Sequence, residues 1–202
     1  MSIWDRYAEF VYRVATGNKR LRVLLTAPAA LLFYGFIVLA VFLALWVDRW
    51  LSLPNFSLLW LRLGLSIFFF HVGGLTGASS LIRFFRSGGT PVPFYPPPRL
   101  ITDGPYAYIR NPMFLSGFFI LLGLGVLLRS LSLTFIFTPF LIVLCVFYVK
   151  AVEEKEMEKK FGQDYLEYKK RVPMFIPRPE AVRDALRRRL RTWLNRASGR
   201  RA

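Results

Sequence analysis

Histidine and cysteine are all but missing from this chain of 202 residues: there is one of each, His71 and Cys145. A single cysteine closes no internal disulfide, and with a single histidine it supplies no zinc or iron centre, so no metal is expected. Neither His-Glu-x-x-His nor Gly-x-Ser-x-Gly occurs, which removes two hydrolase chemistries. The pair Gly123-Leu124-Gly125 has Leu128 where a dinucleotide loop needs a third glycine. Acid is scarce as well, with 12 Asp and Glu against 28 Lys and Arg and a net charge of +16. Such a charge suits nucleic acid in a soluble domain. Here most of the basic residues follow Val149, directly after an apolar run, so anionic lipid is the expected partner and nucleic acid is not.

What the chain does have is apolar residues in blocks, 54% of the whole, with 20 phenylalanines. Ala29 to Val47 carries no charge and, at about 1.5 Å per residue, would span roughly 28 Å, near the hydrocarbon thickness of a bilayer. Phe56 to Ile82, Pro112 to Leu128 and Leu131 to Val149 are three further runs, the last two joined by Arg129-Ser130 in a tight hairpin. The expected fold is all-α and integral to the membrane, with four transmembrane helices. The first run is too long for a signal-peptide core and no small-residue cleavage site follows it, so it reads as a retained anchor. Basic residues precede the first run, lie between the second and third, and follow the fourth, whereas the opposite loops carry only Arg49 and Arg129. By the positive-inside rule both termini face the cytoplasm.

Smaller features refine this outline. Residues 1 to 28 read as an amphipathic lead-in, with Trp4, Tyr7, Phe10, Val11 and Val14 on one side and Pro28 opening the first span. Asp48, Pro54 and Asn55 mark an outer turn. Gly73 and Gly77 suit close helix packing, Arg62 is expected to snorkel outward, and His71 is expected to face the interior and hydrogen-bond. Residues 87 to 98 hold five prolines within eight positions and form a stiff loop, read as a lid or wall over a site. Beyond Val149, acid–base spacings of three and four continue a helix that Gly162 should end. Asp164 with Glu167 resembles a capping box for a second short helix through Arg171. Val182, Leu186, Leu190, Trp193 and Leu194 recur among arginines, so residues 180 to 202 form either a helix in the headgroup plane or a disordered basic tail.

The densest motif is Gly104-Pro105-Tyr106-Ala107-Tyr108-Ile109-Arg110-Asn111-Pro112-Met113-Phe114, at the start of the third run. Glu153 and Glu154 lie just past the end of the fourth. In an antiparallel hairpin these two ends are neighbours, and a site holding both signs suits a zwitterionic ligand. Tyr106, Tyr108, Phe114 and Tyr165 offer aromatic faces for a flat base or a sulfonium. The helix start at Pro112 adds partial positive charge.

These residues, with Gly117, Gly123, Phe161-Gly162, Tyr165, Tyr168 and Val172, resemble the isoprenylcysteine carboxyl methyltransferase and phospholipid methyltransferase superfamily over residues 83 to 179. The Gly89-Thr90-Pro91 and Pro96-Pro97 loop resembles its bacterial members, which implies a bacterial inner membrane. The resemblance implies a methyltransferase domain over 1–179 that binds S-adenosyl-L-methionine near the cytoplasmic face. A lipophilic or small acceptor carrying a carboxylate, thiol or amine would enter from the bilayer. The implied cofactor residues are Gly104, Tyr106, Tyr108, Arg110, Asn111, Pro112, Met113, Phe114, Gly117, Glu153, Glu154 and Tyr165, with Arg110 and Glu154 as the catalytic pair. Asn111 stands where the family usually has histidine, and an amide takes up no proton near neutral pH, so no imidazole base is implied there. Phe114 replaces a common tyrosine. Two rival readings share these features: a membrane sterol-type reductase using a nicotinamide cofactor, and a non-enzymatic membrane scaffold.

Overall fold

A computed structural model of the chain describes residues 3–54, 58–89 and 97–183. Among these the chain is all-helical. Its helices are α1 (Ile3–Thr16), α2 (Lys19–Trp50), α3 (Leu59–Arg86), α4 (Pro112–Leu127), α5 (Leu133–Phe161) and α6 (Gln163–Arg171), with one turn of 3-10 helix at Gly104–Ala107.

Three of these, in α2, α3 and α5, are long and apolar enough to cross a membrane. The fourth expected span is shorter: α4 has 16 residues, about 24 Å at the α-helical rise. It ends where Leu128 leaves the helix and Arg129 turns to φ +60. Much of α4 is covered, with Ser116, Phe118, Leu121, Gly123, Gly125 and Val126 buried. The helix coincides with the apolar run to within one residue, but at this length it does not confirm a fourth span. On the outward faces of α2 and α3, Leu31, Leu32, Phe42, Trp46, Trp60 and Ile67 are exposed, as lipid-facing surface should be.

The α3–α4 seam is built on small residues. Ser116 Oγ donates to the Gly73 carbonyl at 2.7 Å, and a Cβ on Gly73 or Gly77 would press into Ser116. The packing role read for these glycines holds. His71, by contrast, is exposed on α3 and has no partner among the described residues. It sits two residues from the Gly73 contact on a 100°-per-residue wheel, which turns it away from the seam. Arg62 does not free its whole fork: its Nε is buried without a hydrogen-bond partner among the described residues.

Other sequence expectations shift. The second helix begins at Lys19 behind an Asn18 cap whose side chain accepts from the Arg20 amide, leaving Pro28 inside the helix and not at its start. Asp48 is helical, and it caps the hairpin instead of marking a turn. Its Oδ1 accepts from the Ser132 amide at 2.8 Å, Ser130 Oγ donates to its Oδ2, and Ser130 Oγ accepts from the Leu133 amide at 2.9 Å. The helix start of α5 is thereby satisfied from another helix.

α1 is amphipathic as predicted, but the side it buries is Ala8, Val11 and Val14, packed on Val152 with Leu25, Ala29, Tyr148 and Ala151. Trp4, Tyr7 and Phe10 remain exposed. Asp5 and Glu9 of α1 pair with Lys155 and Lys159 of α5. Gly162, at φ +55, does end α5, a conformation that costs glycine little. Gly162 is also the cap of α6, with no side-chain capping bond; Asp164 lies within the first turn, so the capping box does not form. Cys145 is half-buried and free. Residues 90–96 of the proline loop and 184–202 of the basic tail lie outside the described residues, as do the expectations that rest on them.

Candidate functional site

Two features of local backbone bring the third-run motif and the acidic pair together. The first is Pro112 at the opening turn of α4, where a proline's missing donor is harmless. It fixes Asn111 as the cap, with Arg110 just outside the helix. The second is a π-helical turn at Val149–Glu153 within α5. A wide turn takes in about one extra residue and so rotates the remainder of the helix by roughly 100°. Glu154 is the first residue after it.

The result is a buried ion pair: Arg110 Nη1 lies 2.8 Å from Glu154 Oε1, with the two side chains 10% and 9% exposed. Glu154 Oε2 is 2.7 Å from Lys169 Nζ on α6, and Lys169 also donates to Glu158 at 2.7 Å. Arg110 Nη1 reaches the Tyr165 hydroxyl at 3.4 Å. The Arg110–Glu154 contact is close in distance, yet Glu154 Oε1 receives no well-directed hydrogen bond, and Arg110 Nε is buried without a partner among the described residues. The pair therefore keeps the Arg110 Nε–H in reserve, while Glu154 has Oε1 against Arg110 and Oε2 against Lys169.

Below this pair the chain after α6 returns to the motif. The Arg110 amide donates to the Pro173 carbonyl at 2.8 Å and the Asn111 amide to Met174 at 3.1 Å. Tyr168 donates its hydroxyl proton to the Tyr106 carbonyl at 2.7 Å, and Phe175 packs on Phe118 of α4. Tyr165, Tyr168 and Val172 form one buried cluster with Leu100, Met157 and Phe161 around it. Burial raises the pKa of Tyr106, Tyr165 and Tyr168 above the ordinary tyrosine value, and the Glu154 charge adds to this at Tyr165. All three are neutral phenols at physiological pH. At Lys169 partial burial works against the ammonium, but hydrogen bonds to Glu154 and Glu158 outweigh it and hold its pKa above the usual lysine value.

Of the residues named from the sequence, Arg110, Glu154 and Tyr165 meet directly. Tyr106 joins them through Tyr168. Asn111 is buried at the cap and Pro112 is buried beside it; Met113 and Phe114 are partly buried on the first turn of α4. Glu153 is half-buried and forms no ion pair among the described residues. Nothing crowds Gly117, so close approach does not explain a glycine there. Gly104 and Tyr108 line a separate cleft of about 350 Å³ with Ser79, Arg83, Pro105 and Ala107. Sequence reasoning does not single out Lys169, Ser79 or Arg83. Lys169 is legible in part, since it lies four residues after Tyr165 and so shares its face. Arg83 reads, in the sequence, only as a charge that sets orientation.

An all-helical membrane protein with a nearly dry arginine–glutamate pair at the joined ends of two apolar helices is the class that fold and site define. Residues 57–164, more than half of the chain, match the model of the phospholipid methyltransferase family. The chain belongs to this family, whose methyltransferases take their methyl group from S-adenosyl-L-methionine. It is a multi-pass membrane protein. It is 38% identical over 80 residues to protein-S-isoprenylcysteine O-methyltransferase of Schizosaccharomyces pombe, which is 39% of this chain and 33% of that protein. The protein of that name in Homo sapiens is 34% identical over 80 residues, 39% of this chain and 27% of the human one. The alignments thus span a third or less of these relatives. No solved structure matches the chain.

The residues present fit the family's cofactor. An α-amino acid end carries a carboxylate and an ammonium, and the site offers a buried guanidinium Nε–H beside a buried carboxylate.

Proposed function

We propose that this chain is an integral-membrane methyltransferase that uses S-adenosyl-L-methionine on a lipophilic or small acceptor, with its site at the cytoplasmic face. The observation that carries the reading is the buried Arg110–Glu154 pair, with an unfilled Arg110 Nε–H, inside the segment matched to the family. The basic residues flanking the site support the cytoplasmic side.

In this reading Arg110 Nε receives the cofactor's carboxylate and Glu154 Oε1 its ammonium. Lys169 and Tyr165 keep the pair from swinging. Phe114 offers a ring face to the adenine or the sulfonium, while Tyr106, Asn111, Pro112, Met113, Gly117 and Glu153 complete the walls; Gly104 and Tyr108, which line the neighbouring cleft, belong to the cofactor site only if the cofactor extends into that cleft. When bound, the cofactor supplies a methyl group already activated by its positive sulfur. The protein's own contribution is alignment and exclusion of water, worth several kcal/mol of barrier (on the order of 7 to 11 at the limit of ideal positioning). A carboxylate or thiolate acceptor needs no base, and this reading favours such an acceptor, because Asn111 takes up no proton and Glu154 is committed to its cations.

The test is binding of S-adenosylhomocysteine to the purified full chain in nanodiscs by calorimetry. Each lost charge-assisted hydrogen bond is worth about 1.5–3 kcal/mol, so Arg110→Gln and Glu154→Gln should each weaken binding by roughly ten- to a hundredfold, while His71→Ala leaves it unchanged. Saturable binding of a nicotinamide dinucleotide in its place, or an Arg110→Gln chain that binds as well as wild type, refutes the reading. Lipid extracts incubated with methyl-labelled cofactor and analysed by mass spectrometry would then identify the acceptor.

A further inference from the structure

α3 turns small residues to two opposite sides. On one side Gly73 and Gly77 meet Ser116 of α4, with Ser66 and Ser80 buried alongside. On the other, Trp60, Gly64, Ile67, His71, Gly74 and Ala78 follow one another at spacings of four and three, share one helical face, and are all exposed. Among the described residues nothing lies within 4 Å of where a Cβ on Gly64 or Gly74 would stand. Glycine inside a helix is unfavourable beside alanine, and in membrane helices small residues are concentrated where another helix comes close. His71 stands at the centre of this uncovered face. It lies about 18 Å along the helix from Leu59 and about 23 Å from Arg86, near the middle of a bilayer. An ionisable side chain at that depth is costly and is almost always paired. His71 is exposed and has no partner among the described residues. A neutral imidazole carries one N–H donor and one acceptor nitrogen, so it complements a second imidazole, as two carboxylates or two ammonium groups would not. A two-fold axis beside His71 provides that second imidazole, because an isologous interface sets the same patch on both sides.

We propose that α3 is a dimerisation helix: a second copy of this chain packs its own Gly64, His71 and Ala78 against these across a two-fold axis in the membrane, and the two His71 side chains hydrogen-bond to each other. Gly64, Gly74 and Ala78 let the two backbones come near enough for that bond. The repeat of seven from Gly64 to His71 to Ala78 suits a left-handed crossing of about 20°. α4, whose start carries the Arg110–Glu154 pair, lies on the opposite side of α3, so the dimer leaves that site clear. The inference stands apart from the reaction and rests on the face of α3 alone.

The experiment is sedimentation equilibrium of the full chain in density-matched detergent micelles, with oxidative cross-linking in phosphatidylcholine liposomes as its second arm. The wild type should sediment as a reversible dimer. His71→Leu should weaken dimerisation by roughly three- to thirtyfold, the range set by one interhelical hydrogen bond in a membrane. His71→Asn, which keeps a donor and an acceptor, should retain part of the affinity, and Gly74→Leu should weaken the dimer by holding the backbones apart. Helicity by circular dichroism should stay at the wild-type value in all three, since none of these positions touches another helix of the same chain. In a Cys145→Ser background, Ala78→Cys should cross-link to a dimer on oxidation, whereas Leu65→Cys, exposed a third of a turn from His71, should not. Should His71→Leu fail to fold, the two cysteine variants decide, because both leave His71 in place. A monomeric or trimeric wild type, a His71→Leu chain that dimerises as tightly as wild type, or cross-linking as efficient at Leu65→Cys as at Ala78→Cys would overturn the proposal.

Discussion

Substituting Glu154 by Gln should destabilise the ligand-free protein more than substituting Arg110 by Met, although the two side chains form one pair. Glu154→Gln leaves the Arg110 guanidinium, with its side chain 10% exposed, facing a neutral amide and the Tyr165 hydroxyl. Removing one member of a buried pair costs about 3–5 kcal/mol, because the other charge stays buried and uncompensated. Arg110→Met strands Glu154 less completely, since Lys169 remains at 2.7 Å, and a cost of about 2 kcal/mol is expected. The Lys169 side is 34% exposed and retains Glu158, so its own loss adds no more than about 1 kcal/mol. At about 2–4 °C per kcal/mol for a chain of this size, Glu154→Gln should lower Tm by roughly 6–20 °C. The double variant Arg110→Met with Glu154→Met should recover most of this, as apolar replacements of buried pairs often do. Thermal unfolding in detergent, read from the five tryptophans, provides the measurement. Two single variants of equal, large cost would mean that Lys169 does not sustain Glu154, and costs each below about 1 kcal/mol would mean that the pair is solvated.

Gly77→Leu should drive a side chain into Ser116 and break its bond to the Gly73 carbonyl; overpacking of this kind costs about 1–3 kcal/mol, readable as a lower Tm. Asp48→Ala removes the acceptor shared by Ser130 and the Ser132 amide, and a lost cap of this type costs about 0.5–2 kcal/mol, so a drop in Tm of only a few degrees with unchanged S-adenosylhomocysteine binding is expected. Tyr106, Tyr165 and Tyr168 have pKa values raised by burial. The folded state therefore keeps protons that the unfolded state releases near pH ~10. The stability they contribute is whole below that pH and lost as pH rises above it, and phenolate absorbance should show these three titrating only with unfolding.

How much of this was legible in the sequence depended on whether a contact was local. The apolar blocks foretold helices, and the glycine spacing at Gly73 and Gly77 foretold a tight seam. Helix continuity past Val149 and its end at Gly162 also followed from short-range spacing. Pro28 misled because a tolerated position at a helix start and a tolerated position within an apolar helix look alike when only neighbours are read. His71 misled because a polar residue in a span was assumed to turn inward, whereas its angular offset from the Gly73 contact carries it out. Asp48 could not be read at all: its partners, Ser130 and Ser132, are 82 and 84 residues away.

The site shows the same division. That Arg110 and Glu154 should be near each other follows from the hairpin, since two antiparallel helices joined by Arg129-Ser130 must place their far ends together. That they should touch does not follow. A straight α-helix through 149–153 would carry the carboxylate of Glu154 to a different azimuth, and the acidic pair gives no sign of which member turns inward. The wide turn at Val149–Glu153 decides this for Glu154 and leaves Glu153 partly buried outside the ion pair. A π turn costs helix hydrogen-bond geometry, so it persists only where packing holds it. Here Val149 and Val152 within that turn are among the most deeply buried side chains, Val152 against Ala8, Val11 and Val14 of α1. The first helix, a region the family match does not reach, thus acts on the site from behind by holding the turn that aims Glu154. Shaving that contact, as with Val11→Ala, should loosen the grip on S-adenosylhomocysteine without touching any residue that contacts it, and binding unaffected in a destabilised Val11→Ala chain would show that the turn holds itself.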